Sequence, residues 1–445
     1  MDDRFLAYKI LLKIERDKAY SNITVDSVLK NNDVVSAPFV CQLVYGVIER
    51  KITLDYILSQ YLTQPLKKLN PQVLTILRMG VYQIKFLDKV PDSAAVNESV
   101  KLVKKVKCAF ASGLVNSVLR KVSASEVPYP ETDNKAFDLS IKYSCPIELV
   151  KHYADDYGFE DTEKFLKDSL GNAPIFLRVN TLKTTTDKLI DILASENVSA
   201  TKCDDLENAL MLTNGGAVFK TKAYKDGLFH VQDKASQICI SKLDPKPDEV
   251  VFDMCASPGG KTFTIAEIMN NKGKVYSFDL YEHRVKLIAD GAKRLGIDIV
   301  YAKTEDSAEF NSKMQKADRI LCDVPCSGLG VIRRKPEIRY KDLGFVDNLC
   351  ELQYNILNCS AKYLKNNGVI VYSTCSLNKK ENEDICNKFL AEHNDFIKID
   401  DYITLWPHKN GTDGFFIAKL KKVNWLCLKI FVQWLLKKSL KILKS

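Results

Sequence analysis

VVFDMCASPGGK, Val250 to Lys261, couples a short apolar run to an acid and then to a turn of small residues, Pro258 and two glycines. Val250, Val251 and Phe252 read as a buried parallel strand, and Thr262 to Met269 as the helix that follows. A Gly-rich turn in that place lets a ligand approach the backbone closely, beneath the exposed N–H groups of the helix. GGKT looks like the end of a triphosphate-binding loop, but that loop needs Gly five residues before Gly260, where this chain has Cys255. The spacing therefore points to a nucleotide-like ligand without a triphosphate.

Working outward, the apolar KVYSF run of Lys274 to Phe278 ends at Asp279. An acid at the tip of the second strand is where an open α/β sheet holds a ribose hydroxyl pair, although Asp279 reads equally as a cap for the helix after it. Arg319 to Gly328 (RILCDVPCSG) and Gly368 to Ser376 (GVIVYSTCS) are further buried-type strands, each ending in a polar turn with a cysteine. Four strand ends are thus expected at one edge, where doubly wound sheets bind their ligands.

DMCASPGGKT, DVPCSGLGVIRRKPE, YSTCS and GTDGFFIA follow one another in this chain. Together they resemble the RNA 5-methylcytosine methyltransferases that use S-adenosylmethionine, and most of all the RsmB (Sun/Fmu) family acting on 16S rRNA. The resemblance covers roughly residues 1 to 420. It implies that Cys255, Ala256, Ser257, Pro258, Gly259, Gly260 and Lys261 form the loop around S-adenosylmethionine, and that Asp279 binds its ribose. It places Asp306 beside the adenine, with Glu305 as a neighbouring alternative, and Asp323 near the methionine end and the target base. Cys375 is implied as the nucleophile, and Cys326 as the residue that assists product release. Leu329 departs from the family, where many relatives have a small polar residue. The chemistry asks for a thiol, because cytosine C5 attacks a methyl group only after a nucleophile has added at C6.

At 445 residues, two or three domains are expected. Thirteen cysteines in so long a chain, behind an N-terminus (MDDRFLAYKI) without a signal-peptide core, point to reduced thiols and a cytoplasmic protein. No Cys-x-x-Cys pair occurs and the five histidines are scattered, so no metal site is expected. The net charge of +9 is uneven: residues 1 to 130 carry 19 Lys and Arg against 12 acids, and 419 to 445 carry 8 Lys and no acid. The stretch between is mildly acidic, so attraction for a polyanion sits at the ends.

The expected architecture is multidomain. Residues 1–125 form an all-α bundle, with helices near 37–49, 51–62, 71–88, 91–107 and 110–122. By resemblance this is a NusB-like RNA-binding domain. Lys101, Lys104, Lys105, Lys107, Arg120 and Lys121 are candidate phosphate contacts, or simply a solvated helix face. A polar linker (123–134) leads to a small α+β region at 135–235, with helices at 146–157 and 161–170 and strands at 175–179 and 228–231.

Residues 236–420 form the α/β doubly wound, Rossmann-like methyltransferase domain, with strands at 250–253, 274–278, 298–302, 318–322, 368–373 and 415–419. Arg333, Arg334 and Lys335 stand after the Cys326 loop, suited to an RNA phosphate. Residues 421–445 read as a basic amphipathic tail, too short in its apolar part to span a membrane, and carry no assigned role. The expected partner is RNA, 16S rRNA first, acted on by a monomer. A tRNA-specific enzyme and a non-catalytic RNA-binding assembly factor are the alternatives, and the intact pair Cys326 and Cys375 argues against the second.

Overall fold

The computed structural model describes residues 2–17, 21–30, 36–214 and 218–424; the basic tail expected at 421–445 lies almost wholly outside them. Contacts divide the chain into a helical unit, Met1–Asn172 with Ile332–Asp342, and a catalytic unit, Ala173–Val331 with Leu343 onward.

The helical unit begins with helices Asp3–Asp17, Ser21–Lys30, Ala37–Glu49, Lys51–Ser59, Pro71–Phe86, Asp92–Lys105 and Ser112–Ala124. Local chemistry sets several starts. The Asn70 side chain accepts from the Gln72 N–H with Pro71 opening the helix, and Ser36 caps Ala37–Glu49 in the same way. Leu6, Ile10, Leu43, Leu54, Ile76 and Leu119 are among its buried core residues. Two helices then follow, Lys135–Tyr143 and Ile147–Asp168, the latter broken at Gly158 (φ +78°) as the spacing anticipates.

Segment 332–342 belongs to this unit through opposite charges at opposite helix ends. Arg339, 1% exposed, donates to the carbonyls of Glu49, Tyr143, Ser144 and Ser169 at 3.2–3.3 Å, where three helices end. Glu337 accepts from the backbone N–H and the hydroxyl of Ser21, the first residue of its helix. A cation at carbonyl ends and an anion at an N–H end both oppose the helix dipole.

The catalytic unit holds two sheets. The smaller has strands β1 (Phe176–Val179), β2 (Ala200–Lys202), β3 (Ala209–Leu212) and β4 (Phe229–Val231), antiparallel in the order β2-β3-β1-β4. The larger comprises β5 (Val250–Asp253), β6 (Lys274–Asp279), β7 (Val300–Thr304), β8 (Ala317–Asp323), β9 (Leu364–Thr374), β10 (Phe396–Lys398), β11 (Ile403–Leu405) and β12 (Phe415–Lys422).

Its order is β10-β12-β9-β8-β5-β6-β7, with β11 on β12; β5 to β9 run parallel, and β12 is antiparallel to β9. The order reverses at β5, so the crevice beyond its carboxyl end is the switch point where a ligand is expected. All three expected architectures are therefore present: a helical bundle, a small α+β region and a doubly wound sheet. Among the described residues no helix is long and apolar enough to cross a membrane.

Candidate active site

β5 delivers Asp253 to the switch point. Its carboxylate is 1% exposed and accepts from the Thr262 hydroxyl at 2.7 Å, while Oδ1 has no hydrogen-bond partner among the described residues. Burial pushes this carboxyl up to about 7; the charge of Asp323 adds to the rise, and Thr262, Lys261 and the Cys255 backbone N–H oppose it.

The turn after it is held by Ala256 N–H to the Phe278 carbonyl and by Gly259 N–H to the Ala256 carbonyl. Gly259 has φ +107°, and a Cβ there would come within 2.4 Å of the Phe263 ring, so the position demands glycine. Gly260 opens the helix Gly260–Ile268. Cys255 to Pro258, Gly260, Lys261, Asp253 and Asp323 line a cavity of about 230 Å³, together with residues from β4 and the turn after it.

Lys261 pairs with Asp323 at 2.7 Å, and Asp323 also accepts from the Ser373 hydroxyl at 2.8 Å. These bonds join the helix after β5 to the ends of β8 and β9. Burial pulls the Lys261 ammonium down, but the Asp323 carboxylate outweighs it and holds its pKa above the ordinary value.

Asp279 stands at the end of β6 as expected, 6% exposed. One oxygen accepts from the Tyr281 N–H, and the other lies 3.5 Å from Arg284. Part of its capacity is thus local, but it does not cap the next helix, Glu282–Leu295, whose N-cap is Tyr281 and which has no side-chain capping bond. Asp306 accepts from the Ala308 N–H, and Glu305 from the Asn311 amide. Neither Asp279 nor Asp306 lines the cavity beside Lys261.

The two cysteines come together. The Cys326 and Cys375 sulfurs are 2.8 Å apart, one beyond β8 and the other beyond β9. The hydrogen bond to Cys375 holds the Cys326 thiol well above its usual pKa, with burial and then the charges of Cys375, Glu381 and Asp323 acting the same way. The two turns touch through backbone as well, since the Gly330 N–H donates to the Cys375 carbonyl and the Gly414 N–H to the Gly330 carbonyl. A Cβ on Gly330 would sit 2.0 Å from the Gly414 carbonyl oxygen. That close approach is the physical reason for glycine in both SGLG and GTDGFF. Arg333, expected near an RNA phosphate, donates one N–H to the Asn172 carbonyl within the helical unit.

Asp253, Ser373, Gln353 and Glu381 escape the sequence reading as site residues. Asp253 had a signal, being the acid that ends the strand in the quoted stretch. Glu381 had none, because an acid in the run KKENED reads as solvated surface.

A doubly wound sheet with this glycine turn, its buried acids and a cysteine pair at the neighbouring strand ends defines an S-adenosylmethionine-dependent methyltransferase. The cofactor fits what is here: Asp253, with a buried carboxylate oxygen unpaired among the described residues, and Gly260, the first residue of its helix, both line the cavity. Models of three families match in order: the NusB family over residues 1–124, the RsmF/B-like ferredoxin-like domain over 146–219, and the 16S rRNA methyltransferase RsmB/F over 240–421.

The probable ribosomal RNA small subunit methyltransferase B of Bacillus subtilis is 38% identical across 94% of this chain and 98% of its own length. Among solved structures, PH0851 superposes with a TM-score of 0.79 at 26% identity, covering 95% of this chain and 99% of that one. NSun6 of Pyrococcus horikoshii with SFG gives a TM-score of 0.58 at 25% identity over 63% of this chain and 98% of its own. The chain belongs to the RsmB/F family of rRNA methyltransferases and acts on RNA with S-adenosylmethionine as methyl donor.

Proposed function

We propose that this enzyme methylates C5 of a cytosine in 16S rRNA through a covalent bond between Cys375 and C6 of the ring. The contact between the Cys326 and Cys375 sulfurs at 2.8 Å carries this reading. Methyl transfer to an oxygen or an amine needs no thiol at the reacting carbon, and a pair is harder still to account for outside addition and elimination.

Cys375 thiolate adds to C6, and the electron pair of the C5=C6 bond moves to C5, which becomes enamine-like. S-adenosylmethionine supplies the electrophilic methyl group that C5 accepts. A base then takes the C5 proton, the C5=C6 bond re-forms, and the Cys375 sulfur leaves C6 with its electron pair. Cys326, its sulfur 2.8 Å from that of Cys375, is close enough to serve this release. Asp323 lies between the cofactor loop and the cysteines and supplies an acceptor for the cytosine amino group, the pairing a carboxylate makes with that base. Asp253 Oδ1 is available to the ammonium of the methionine moiety, and Asp279 and Asp306 to the nucleoside.

RNA containing 5-fluorocytosine blocks proton loss and tests the scheme. The wild type is expected to form an adduct that survives denaturing gels, and Cys375→Ala none. On ordinary RNA, Cys326→Ala is expected to accumulate the adduct. An adduct from Cys375→Ala but not from Cys326→Ala reverses the roles, and no adduct from the wild type or either variant removes covalent catalysis.

A further inference from the structure

Glu381 is fully buried, and the donors to its carboxylate are all uncharged. Ser327 gives it both its backbone N–H at 2.8 Å and its hydroxyl at 2.5 Å; the Ser376 hydroxyl gives a third bond at 2.7 Å. The Gln353 amide adds a fourth at 3.0 Å while holding the Pro325 carbonyl at 2.9 Å. Ser327 is the residue after Cys326, and Ser376 the residue after Cys375. One carboxylate therefore clasps both cysteine turns at the position next to each sulfur.

The neighbouring residue works on the same turn. Asn382 accepts from the Thr374 hydroxyl and donates to the Ser376 carbonyl. Burying a carboxylate without a cation is costly, and a surface asparagine and glutamate would serve a structural helix start as well. A buried carboxylate whose bonds, the one from Gln353 apart, all go to the two turns that carry the thiols has a more particular use.

We propose that Glu381 is a positioning residue that fixes Cys326 relative to Cys375, so that release keeps pace with methyl transfer. The inference rests on the two-cysteine reading above. Cys375 directly follows β9, whereas Cys326 lies beyond the end of β8 in a turn held to the Cys375 turn through Glu381, the contact of the Ser327 and Ser376 hydroxyls at 2.9 Å, and the Val324 and Gly330 N–H groups. Loosening the clasp should then act on the later half of the reaction. The C5 proton and the Cys375 sulfur leave slowly, and the methylated adduct persists.

The test compares Glu381→Ala and Glu381→Gln with the wild type and both cysteine variants, as full chains on unmodified target RNA with S-adenosylmethionine. Single-turnover methyl transfer and loss of the denaturant-resistant adduct are followed side by side, with cofactor affinity measured by calorimetry. Glu381→Ala is expected to slow adduct release relative to methyl transfer by about tenfold or more, in line with loss of a charge-assisted hydrogen bond, at unchanged cofactor affinity. Glu381→Gln, which keeps the shape and one acceptor, should fall between.

A purely structural glutamate would lower both steps together and leave their ratio unmoved, and that result overturns the proposal. Where Glu381→Ala does not fold, the ratio in Glu381→Gln decides. Failure of Cys326→Ala to accumulate adduct would sink the two-cysteine reading itself. An unmoved ratio at Glu381 with that control intact would sink only this inference.

Discussion

Asp253→Asn isolates the cost of the buried acid at the switch point. The Asp253 carboxyl rises from 3.8 to about 7 on folding, chiefly through burial. An acid raised in this way keeps its proton in the folded chain after the unfolded chain has released it. Its contribution to stability is therefore complete below the unfolded value and declines as pH rises, up to the folded value. The decline is about 1.4 kcal/mol per pH unit, so roughly 2–3 kcal/mol is lost between about pH 5 and pH 7, with a plateau above.

Asparagine preserves the shape and still accepts from Thr262, but has no proton to lose. Urea unfolding of the cofactor-free protein at several pH values, followed through the transition of the catalytic unit, reads the difference. Asp253→Asn should gain on the wild type by that amount across the window, and the gap should hold steady above it. Saturating S-adenosylmethionine should flatten the wild-type slope, because a bound ammonium favours the ionised carboxylate. Parallel curves for the two proteins from pH 5 to 8 would show that Asp253 ionises normally, and the argument from its burial would fail.

Asp279→Ala is expected to weaken S-adenosylmethionine binding by about 1.5–3 kcal/mol, measured by calorimetry on a folded variant; unchanged affinity would leave Asp279 only its bond to the Tyr281 N–H. In the helical unit, Lys101 is paired with Glu98 and Lys105 with Asp2, so Lys104 and Lys121, exposed and outside those pairs, are among the better phosphate ligands of the expected set. Replacing both with Ala should reduce the slope of log affinity against log salt by about 0.7–0.9 for each phosphate left without its cation, and an unaltered slope in a filter-binding titration would return them to ordinary surface.

The sheet was legible because its central strands are apolar runs that end in acids or cysteines. Val250–Asp253 and Lys274–Asp279 fall where the pattern puts them, within a residue at the ends. The edge strand Val300–Thr304 lies two residues beyond the expected 298–302, since an edge is only half buried and its pattern is weak. Ala200–Lys202 and Ala209–Leu212 were not anticipated, being too short to show a period of two. Helix Lys135–Tyr143 was likewise unnamed, although Asn134 caps it through the Phe137 N–H.

In the site, residues whose chemistry is written in their type were readable: cysteines, glycines and a strand-end acid. Residues whose importance comes from where the chain folds back were not. Glu381 lies among lysines and acids in sequence and is fully buried in space. The resemblance supplied the roles of Cys375 and Cys326, which composition alone could not distinguish.

Arg339 ties the folding of the helical unit to the order of synthesis. The carbonyls it satisfies end helices that leave the ribosome early, at Glu49, Tyr143 and Ser169. The guanidinium follows only after β5 through β8 have been made. Domains generally fold as units and from the N-terminus first during translation, yet here the leading unit takes one of its buried side chains from far downstream. For the same reason no single cut separates the two units: a fragment stopping at Asn172 lacks its own buried cation, and the remainder carries that cation without its acceptors.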